Sequence, residues 1–406
     1  MNSVFHLIKK HSSLLIIVLG AGCFFFSNII LQSKLNGIDY GVYSLFVTYL
    51  SFIYIYGLLG FEQVLLRYSF VKSKNLITTQ KINKSIILSV ILFTSIGFSI
   101  LFRSIYFQSE INYLLLFITS LSVIISMPIF SILRLNEQFS FAQLVANYWK
   151  IILIVICGLI VFFNNYSINF IITTLSISII IFSIIVLIYF FKTIQFQLNK
   201  DISNKTIFQS FLFFFISITS FSLITFGDRF IIEYKINIET LGIYFFLFNF
   251  LLAPFNILQN YIGFKQLVEY KKGINFKIIN RNIIQTIVLG LSLGIILFAI
   301  SYVLEEYEII DFEFHNYSIE IILLLILGIV KLYSSIISPA FEVTTDIKML
   351  KTFNIILILS TLIIIAILLL INQLSITVVI LTLIILWLIR SLVQHYLIYN
   401  SNTSNS

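Results

Sequence analysis

The sequence predicts an all-α integral membrane protein with twelve transmembrane helices. Hydrophobic residues make up 59% of the 406 residues and charged residues only 10%. A soluble domain with an ordinary charged surface does not have this balance. The apolar residues fall in runs of about twenty, the length that a helix needs to cross roughly 30 Å of hydrocarbon. Each run is predicted to be helical, because a segment in hydrocarbon must satisfy its backbone hydrogen bonds internally unless it joins a closed barrel.

Polar or charged clusters separate the apolar runs. We place the predicted spans 1 to 12 at residues 13–33, 41–61, 85–102, 113–133, 144–163, 168–191, 207–227, 241–262, 283–303, 319–338, 353–371 and 376–397. Span 1 is longer than the apolar part of a usual signal peptide, and no small-residue cleavage site follows it. We therefore interpret it as a membrane helix.

The basic residues predict that both chain termini lie in the cytoplasm. With that orientation, eighteen Lys and Arg residues lie in inner segments and four in outer segments, which agrees with the positive-inside rule. The inner residues are Lys9, Lys10, Arg67, Lys72, Lys74, Lys81, Lys84, Arg134, Lys192, Lys200, Lys205, Lys265, Lys271, Lys272, Lys277, Arg281, Lys348 and Lys351. The outer residues are Lys34, Arg103, Arg229 and Lys235. This topology explains the net charge of +8 without a nucleic acid as a partner.

Two motifs recur at nearly constant spacing. Gly41-Val42-Tyr43 opens span 2 and Gly60-Phe61-Glu62-Gln63 closes it. Gly242-Ile243-Tyr244 opens span 8 and Gly263-Phe264-Lys265-Gln266 closes it, at offsets of 201 and 203 residues. The period covers six spans, so the two halves should share one orientation and enclose a cavity at their interface. We predict two six-helix bundles, residues 1–205 and residues 206–406, the second with a short polar tail. Transporters have this architecture.

Four short segments resemble the oligosaccharide flippases of the O-antigen and capsule type. The first half contains Leu35-Asn36-Gly37-Ile38-Asp39-Tyr40-Gly41-Val42-Tyr43 and Gly60-Phe61-Glu62-Gln63-Val64-Leu65-Leu66-Arg67-Tyr68. The second half contains Gly227-Asp228-Arg229-Phe230 and Glu239-Thr240-Leu241-Gly242-Ile243-Tyr244, similar to the Asp-Arg and Leu-Gly-x-Tyr pattern that follows the seventh helix in this family. The resemblance covers the whole chain in length and helix number.

The resemblance implies both a fold and a substrate. The fold would be that of the multidrug-and-toxin-extrusion transporters, with two six-helix bundles facing each other in a V and opening alternately to each side. The substrate would be an undecaprenyl-diphosphate-linked oligosaccharide, translocated across the bacterial inner membrane for O-antigen or capsular polysaccharide synthesis. Polysaccharide polymerase machinery is the protein partner that the resemblance suggests. The protein would not be an enzyme.

Three Lys or Arg residues lie inside predicted spans: Lys150, Lys331 and Arg390. A charge at membrane depth costs about 2.5–3.5 kcal/mol on insertion scales, so it often faces protein or water and marks function. All three lie within about two turns of the inner ends of their spans. We predict that they form a cationic cavity that binds the diphosphate. Arg390 would make two parallel hydrogen bonds to phosphate oxygens, and the lysines would act as point charges. The alternative is that each side chain snorkels to the inner interface.

Five further charged residues are candidates for gates. Glu62 and Arg67 lie at the inner end of span 2, and the repeat places Lys265 opposite Glu62 in sequence. They could form a gate contact or a solvated helix end. Asp228 and Arg229 belong to the family motif at the outer end of span 7, where charge is not costly. They could form an outer gate, contact sugar, or act as interfacial anchors.

Several aromatic residues could stack on sugars inside a cavity. The candidates are Tyr49, Tyr54, Tyr56, Trp149 and Trp387. Packing and interfacial belts are the alternative explanation for the same residues.

The sequence lacks a Gly-x-x-x-x-Gly-Lys-Ser/Thr phosphate loop, so transport would draw on membrane potential, product removal or a gradient of a coupling ion, H+ or Na+. No cofactor is expected, and four scattered His residues do not suggest a metal site. A cation-coupled drug exporter of the same fold is a rival interpretation, although span 1 lacks the expected acid. A membrane glycosyltransferase or polymerase is a second rival, and the short outer loops argue against it.

Overall fold

The computed structural model is helical throughout most of the chain and confirms the predicted fold class. It describes residues 2–68, 70–72, 75–79, 84–107, 111–163, 167–193, 195–199, 204–270 and 273–403. Within these residues, twelve helical stretches are long and apolar enough to cross a membrane. Five predicted inner cations lie outside the described residues, as does the end of the predicted polar tail: Lys74, Lys81, Lys200, Lys271, Lys272 and residues 404–406.

The chain divides into two compact units, Met1–Ser222 (unit 1) and Leu223–Ser406 (unit 2). The helices of unit 1 are α1 (Asn2–Lys34), α2 (Gly37–Tyr56), α3 (Phe61–Tyr68), α4 (Lys84–Phe102), α5 (Tyr113–Leu135), α6 (Phe139–Phe163) and α7 (Ile168–Thr193). A π-helical turn, Arg103–Phe107, extends α4. The next helix, α8 (Asn204–Lys235), begins in unit 1 and ends in unit 2. The predicted bundle boundary at residues 205 and 206 stays a prediction.

Unit 2 contains the rest of α8 and five further helices. They are α9 (Ile238–Tyr270), α10 (Phe276–Glu306), α11 (Ser318–Thr344), α12 (Ile347–Leu370) and α13 (Ile376–Thr403), with a 3-10 turn at Phe314–Tyr317. Helix α11 packs against α9, α10 and α13 and forms the centre of the unit. Its inward residues are apolar or small and polar, including Leu324, Leu327 and Ser334. A charged residue on the buried face of this helix therefore has little access to solvent.

Several helices extend beyond the predicted spans, because a span marks only the apolar part of its helix. The orphan backbone N–H groups at a helix start must find other acceptors. Four of these starts have an Asn or Asp cap whose side-chain oxygen accepts a hydrogen bond from a backbone N–H group at 2.7–3.0 Å. The caps are Asn36, Asn112, Asn275 and Asp346.

Span 2 is broken where the sequence predicted one continuous helix. Helix α2 ends at Tyr56 and α3 begins at Phe61, with a turn at residues 57–60 between them. Gly60 has a φ of +81°, a left-handed conformation that glycine adopts without steric cost. A Cβ atom there would lie 2.8 Å from the carbonyl carbon and oxygen of Phe214 on α8. Glycine is therefore required both by the turn and by the close approach of α8.

A small sheet joins two loops that the topology prediction places on the inner side. Strand β1 (Phe70–Lys72) pairs antiparallel with β2 (Asn75–Thr79), and β2 pairs in parallel with β3 (Gln195–Asn199). The sequence analysis did not predict these strands. The alternation of polar and apolar residues in β3, Gln-Phe-Gln-Leu-Asn, is the pattern of a strand and was the available signal.

We expect Gly60→Ala to destabilise the protein. A residue with a Cβ atom in the left-handed region costs about 1–2 kcal/mol, and the overlap with the Phe214 backbone adds to that cost. Gly97→Ala is the matched control, because a Cβ atom at Gly97 in α4 would contact nothing within 4 Å. Thermal unfolding of the detergent-solubilised variants, followed by intrinsic fluorescence, checks this. Equal melting temperatures for the two variants would contradict the role of Gly60.

Candidate functional site

Lys331 is a buried cation at the centre of unit 2. Its side chain on α11 is 8% exposed, and its ammonium donates a hydrogen bond of 2.6 Å to Oδ1 of Asn256 on α9. The head group of a snorkelling lysine would reach the interface instead. The sequence analysis did not identify Asn256 as a partner. The available signal was the position of Asn256 in the sequence, a polar residue inside an apolar span and two positions after Pro254.

A close helix contact positions Lys331 beside Asn256. Gly328 precedes Lys331 by one helical turn, so the two residues lie on the same face of α11. A Cβ atom at Gly328 would be 2.7–2.8 Å from ring atoms of Phe255. The absence of that atom lets α11 approach α9 over the Phe255 ring, and this approach brings the ammonium within reach of the Asn256 amide.

Two aromatic rings alternate with three cations in unit 2, an arrangement that we call the cation–aromatic chain. The guanidinium carbon of Arg229 lies 4.7 Å from the ring centroid of Phe248. The ammonium of Lys331 lies 5.6 Å from the Phe248 centroid and 5.3 Å from that of Trp387. The guanidinium carbon of Arg390 lies 4.9 Å from the Trp387 centroid. The negative ring faces attract each cation and so offset the repulsion between the three like charges.

The structure thus brings together two of the three predicted cavity cations, Lys331 and Arg390, and adds Arg229. Span 7 was predicted to end at residue 227, which placed Arg229 and Asp228 at the outer end of the helix. In the structure α8 continues to Lys235, and the two side chains are only 7% and 6% exposed. The span prediction was wrong here because the charged pair interrupts the apolar run without ending the helix.

Asp228 supplies an acid next to the cation–aromatic chain. Its Oδ2 accepts a hydrogen bond from the Tyr244 hydroxyl, while Oδ1 has no hydrogen-bond partner among the described residues. The Nε of Arg229 is likewise buried without such a partner within the described part of the chain. Lys331 lies within electrostatic range of both residues and of Arg390. Three cations facing one acid leave an excess of positive charge.

Lys150, the third predicted cavity cation, lies in unit 1. Its ammonium donates a hydrogen bond of 3.1 Å to Oδ1 of Asn147 and lies 5.7 Å from the ring centroid of Trp149. All three residues line a cavity of about 250 Å³ whose walls come from α2, α5, α6 and α7. Lys150 therefore belongs to this unit 1 cavity and not to the cation–aromatic chain of unit 2.

The three predicted gate residues differ in burial. Glu62 is only 5% exposed and accepts a hydrogen bond of 3.1 Å from the amide of Gln63, which is at odds with a solvated helix end. Arg67 is exposed, and no ion pair joins it to Glu62 within the described residues. Lys265 is exposed on α9. A gate contact between Glu62 and Lys265 stays a prediction.

We expect Tyr244→Phe to destabilise unit 2. The change removes the described hydrogen bond to the Asp228 carboxylate, and an unsatisfied buried acceptor costs about 1–3 kcal/mol. Tyr261→Phe on the same helix is the control, because Tyr261 is 54% exposed. Thermal unfolding in detergent should show a lower melting temperature for Tyr244→Phe alone. The interaction would be unimportant if the two variants melted together.

Comparisons with known proteins support the fold but not a sequence family. No family model and no curated protein matches the sequence. A solved structure of the outward-facing conformation of a multidrug resistance MATE family transporter of the MOP superfamily is similar, with a TM-score of 0.58 and 12% identity. That match covers 97% of this chain and 96% of the other.

A second solved structure has a weaker likeness. It is a MOP superfamily transporter from Pyrococcus furiosus, described as having a binding pocket of reverse polarity, with a TM-score of 0.46 and 14% identity. The match covers 99% of this chain and 93% of the other. From the first comparison and the twelve apolar helices, the chain is a multi-pass membrane protein with the fold of a MATE family transporter.

Proposed function

We propose that the protein is a flippase for undecaprenyl-diphosphate-linked oligosaccharides. It would move the repeat unit from the cytoplasmic to the outer leaflet of a bacterial inner membrane for O-antigen or capsular polysaccharide synthesis, with both chain termini in the cytoplasm. The observation that carries the proposal is the cation–aromatic chain together with the adjacent Asp228. They concentrate three cations and one acid in the middle of an apolar helical unit.

A diphosphate suits the chemistry of this cluster. Arg229 and Arg390 present planar guanidinium groups that can engage phosphate oxygens with two parallel hydrogen bonds, and Lys331 adds a point charge. Hydrogen bonds between charged partners are roughly twice as strong as those between neutral ones. In a site shielded from water these interactions are screened less than at the protein surface. The undecaprenyl tail would stay in the lipid throughout, so the protein would not have to move it through water.

Lys150 would contribute a separate cation in unit 1. Its partner Asn147 is a neutral amide, so the hydrogen bond leaves the positive charge of Lys150 uncompensated. The ammonium could therefore attract an anionic or hydroxyl-rich part of the same substrate.

Asp228 is the candidate for ion coupling. The sequence has no phosphate loop for ATP, so we propose that a gradient of H+ or Na+ drives transport. A buried carboxylate with one oxygen unpaired within the described residues can take up either ion. Polysaccharide polymerase machinery is the proposed recipient of the flipped repeat unit.

A cation-coupled exporter of small molecules is the second candidate function, and the buried Asp228 favours it. A substrate site rich in positive charge would select anionic compounds and repel cationic drugs. Both functions therefore require an anionic substrate, and they differ in whether that substrate has a lipid tail. A membrane glycosyltransferase or polymerase remains a third candidate, although no observation on the site favours it.

We expect charge removal in the cation–aromatic chain to abolish export. Each of Arg229, Lys331 and Arg390 is changed to Ala and to Glu in a host that lacks its own flippase, and surface polysaccharide is measured. Loss of one hydrogen bond to a charged group, about 1.5–3 kcal/mol, corresponds to a decrease of about tenfold or more. Glu should be worse than Ala, because it adds repulsion.

Lys150→Ala and Lys150→Glu belong to the same series, and Lys351→Glu is the control because Lys351 is exposed on α12. Membrane levels of each variant are measured by immunoblot. Normal export by every variant in the cation–aromatic chain would refute the diphosphate site. Normal export by the Lys150 variants alone would show only that export does not require Lys150.

We expect Asp228→Asn to uncouple transport from the ion gradient. The amide cannot take up a proton or balance a cation, yet it can still accept the hydrogen bond from Tyr244. In proteoliposomes, flipping by the native protein should respond to an imposed pH or Na+ gradient, and flipping by the variant should not. Retention of the gradient response would exclude Asp228 as the coupling group. Efflux of a small anionic dye without a lipid tail by the native protein would favour the exporter instead.

A further inference from the structure

The cavity of unit 1 differs in chemistry from the cation–aromatic chain. It contains one cation, whereas its other polar groups are hydroxyls and an amide. The lining residues with polar groups or aromatic rings are Ser51, Tyr54, Ser126, Asn147, Tyr148, Trp149 and Lys150. A site of this kind recognises a neutral, hydroxyl-rich ligand better than a multiply charged one.

We propose that this cavity is a saccharide subsite that holds one sugar ring of the lipid-linked substrate. The proposal rests on the proposed function and adds a recognition role for unit 1. A pyranose ring offers an apolar face to aromatic rings and hydroxyl groups to amide, hydroxyl and ammonium partners. The volume of about 250 Å³ equals that of about eight water molecules at about 30 Å³ each, which is the scale of one monosaccharide.

The environments of the candidate sugar-stacking aromatics favour this cavity. Tyr49 is fully buried, and its hydroxyl bonds to a serine on α5 at 2.5 Å. The hydroxyl of Tyr56 bonds to a threonine on α8 at 3.0 Å. Trp387 lies between two cations in the cation–aromatic chain. The other two of the five candidate aromatics, Tyr54 and Trp149, both line the cavity.

Tyr54 and Trp149 offer ring surface to the cavity. The Tyr54 hydroxyl itself is inaccessible and has no hydrogen-bond partner among the residues that the structure describes. The polar contacts to a sugar would therefore come from Ser51, Asn147 and Lys150, which also line the cavity. The neighbouring amide of Asn147 is fixed by a 3.0 Å hydrogen bond to the Gln143 carbonyl oxygen and holds Lys150 at the cavity.

The test compares lipids with and without a sugar. Purified full-length protein in lipid nanodiscs is titrated with undecaprenyl diphosphate and with the same lipid bearing a single glucose, galactose or N-acetylglucosamine. The native protein should bind at least one glycosylated lipid more tightly than the sugar-free lipid. Trp149→Leu should reduce that advantage by about threefold to tenfold, because it removes a ring on which the sugar would stack, and leave the affinity for the sugar-free lipid unchanged.

Tyr54→Phe is the matched control, because it removes only an inaccessible hydroxyl without a described partner and keeps the ring, so it should keep the sugar advantage. Tyr56→Phe on the same helix is a second control and should keep it as well. The subsite is refuted if the native protein gains nothing from any of the three sugars, or if Trp149→Leu weakens binding of all the lipids equally. Failure to bind the sugar-free lipid as well would overturn the proposed function itself.

Tryptophan fluorescence locates the sugar independently. The chain has two tryptophans, one in each candidate site. In Trp387→Phe all tryptophan emission comes from Trp149, and because Trp387 belongs to the cation–aromatic chain, the affinity of this variant for both lipids is measured first. A glycosylated lipid that the native protein prefers should change this emission, whereas undecaprenyl diphosphate should not. An identical response to both lipids would contradict the subsite.

Discussion

The cost of charge at membrane depth is the constraint on which the candidate sites depend. Each buried cation costs about 2.5–3.5 kcal/mol on insertion scales, and a desolvated aromatic ring returns up to about 2 kcal/mol. Lys331 accordingly contacts two rings and an amide, and Arg229 and Arg390 each face a ring of the same chain. The rings reduce the cost of the cluster without neutralising it, so its positive charge stays available to a ligand.

The sequence predicted the twelve long apolar helical stretches found among the described residues, because the need for internal backbone hydrogen bonds forces long apolar runs to be helical. It also identified Lys331 and Arg390, since charges inside such runs are conspicuous. It could not select Phe248 from forty-three phenylalanines, because ring partners depend on how helices pack. The turn at Gly60 was equally hidden, since its left-handed conformation depends on the close approach of α8 to that loop.

The two units share a sequence repeat but differ in chemistry. Tyr43 and Tyr244 occupy matching positions and are both fully buried, which is consistent with a common helix framework. Gly60 lies in a turn between two helices, whereas its counterpart Gly263 lies inside the continuous helix α9. Unit 2 contains three cations around two rings, and unit 1 contains one cation in a cavity with hydroxyls and an amide. The repeat thus supports two sites with different ligand preferences.

The proposed flippase must release its substrate, and this requirement would explain an acid beside the cations. Three uncompensated cations in a dry site would hold a diphosphate tightly, and conduction or transport requires binding weak enough for the ligand to leave. Asp228, within electrostatic range of Lys331, lowers the net charge and competes with phosphate for the same cations. Uptake of a proton by Asp228 would remove its negative charge and strengthen anion binding, and loss of that proton would weaken it. Substrate release and ion coupling would then share one carboxylate.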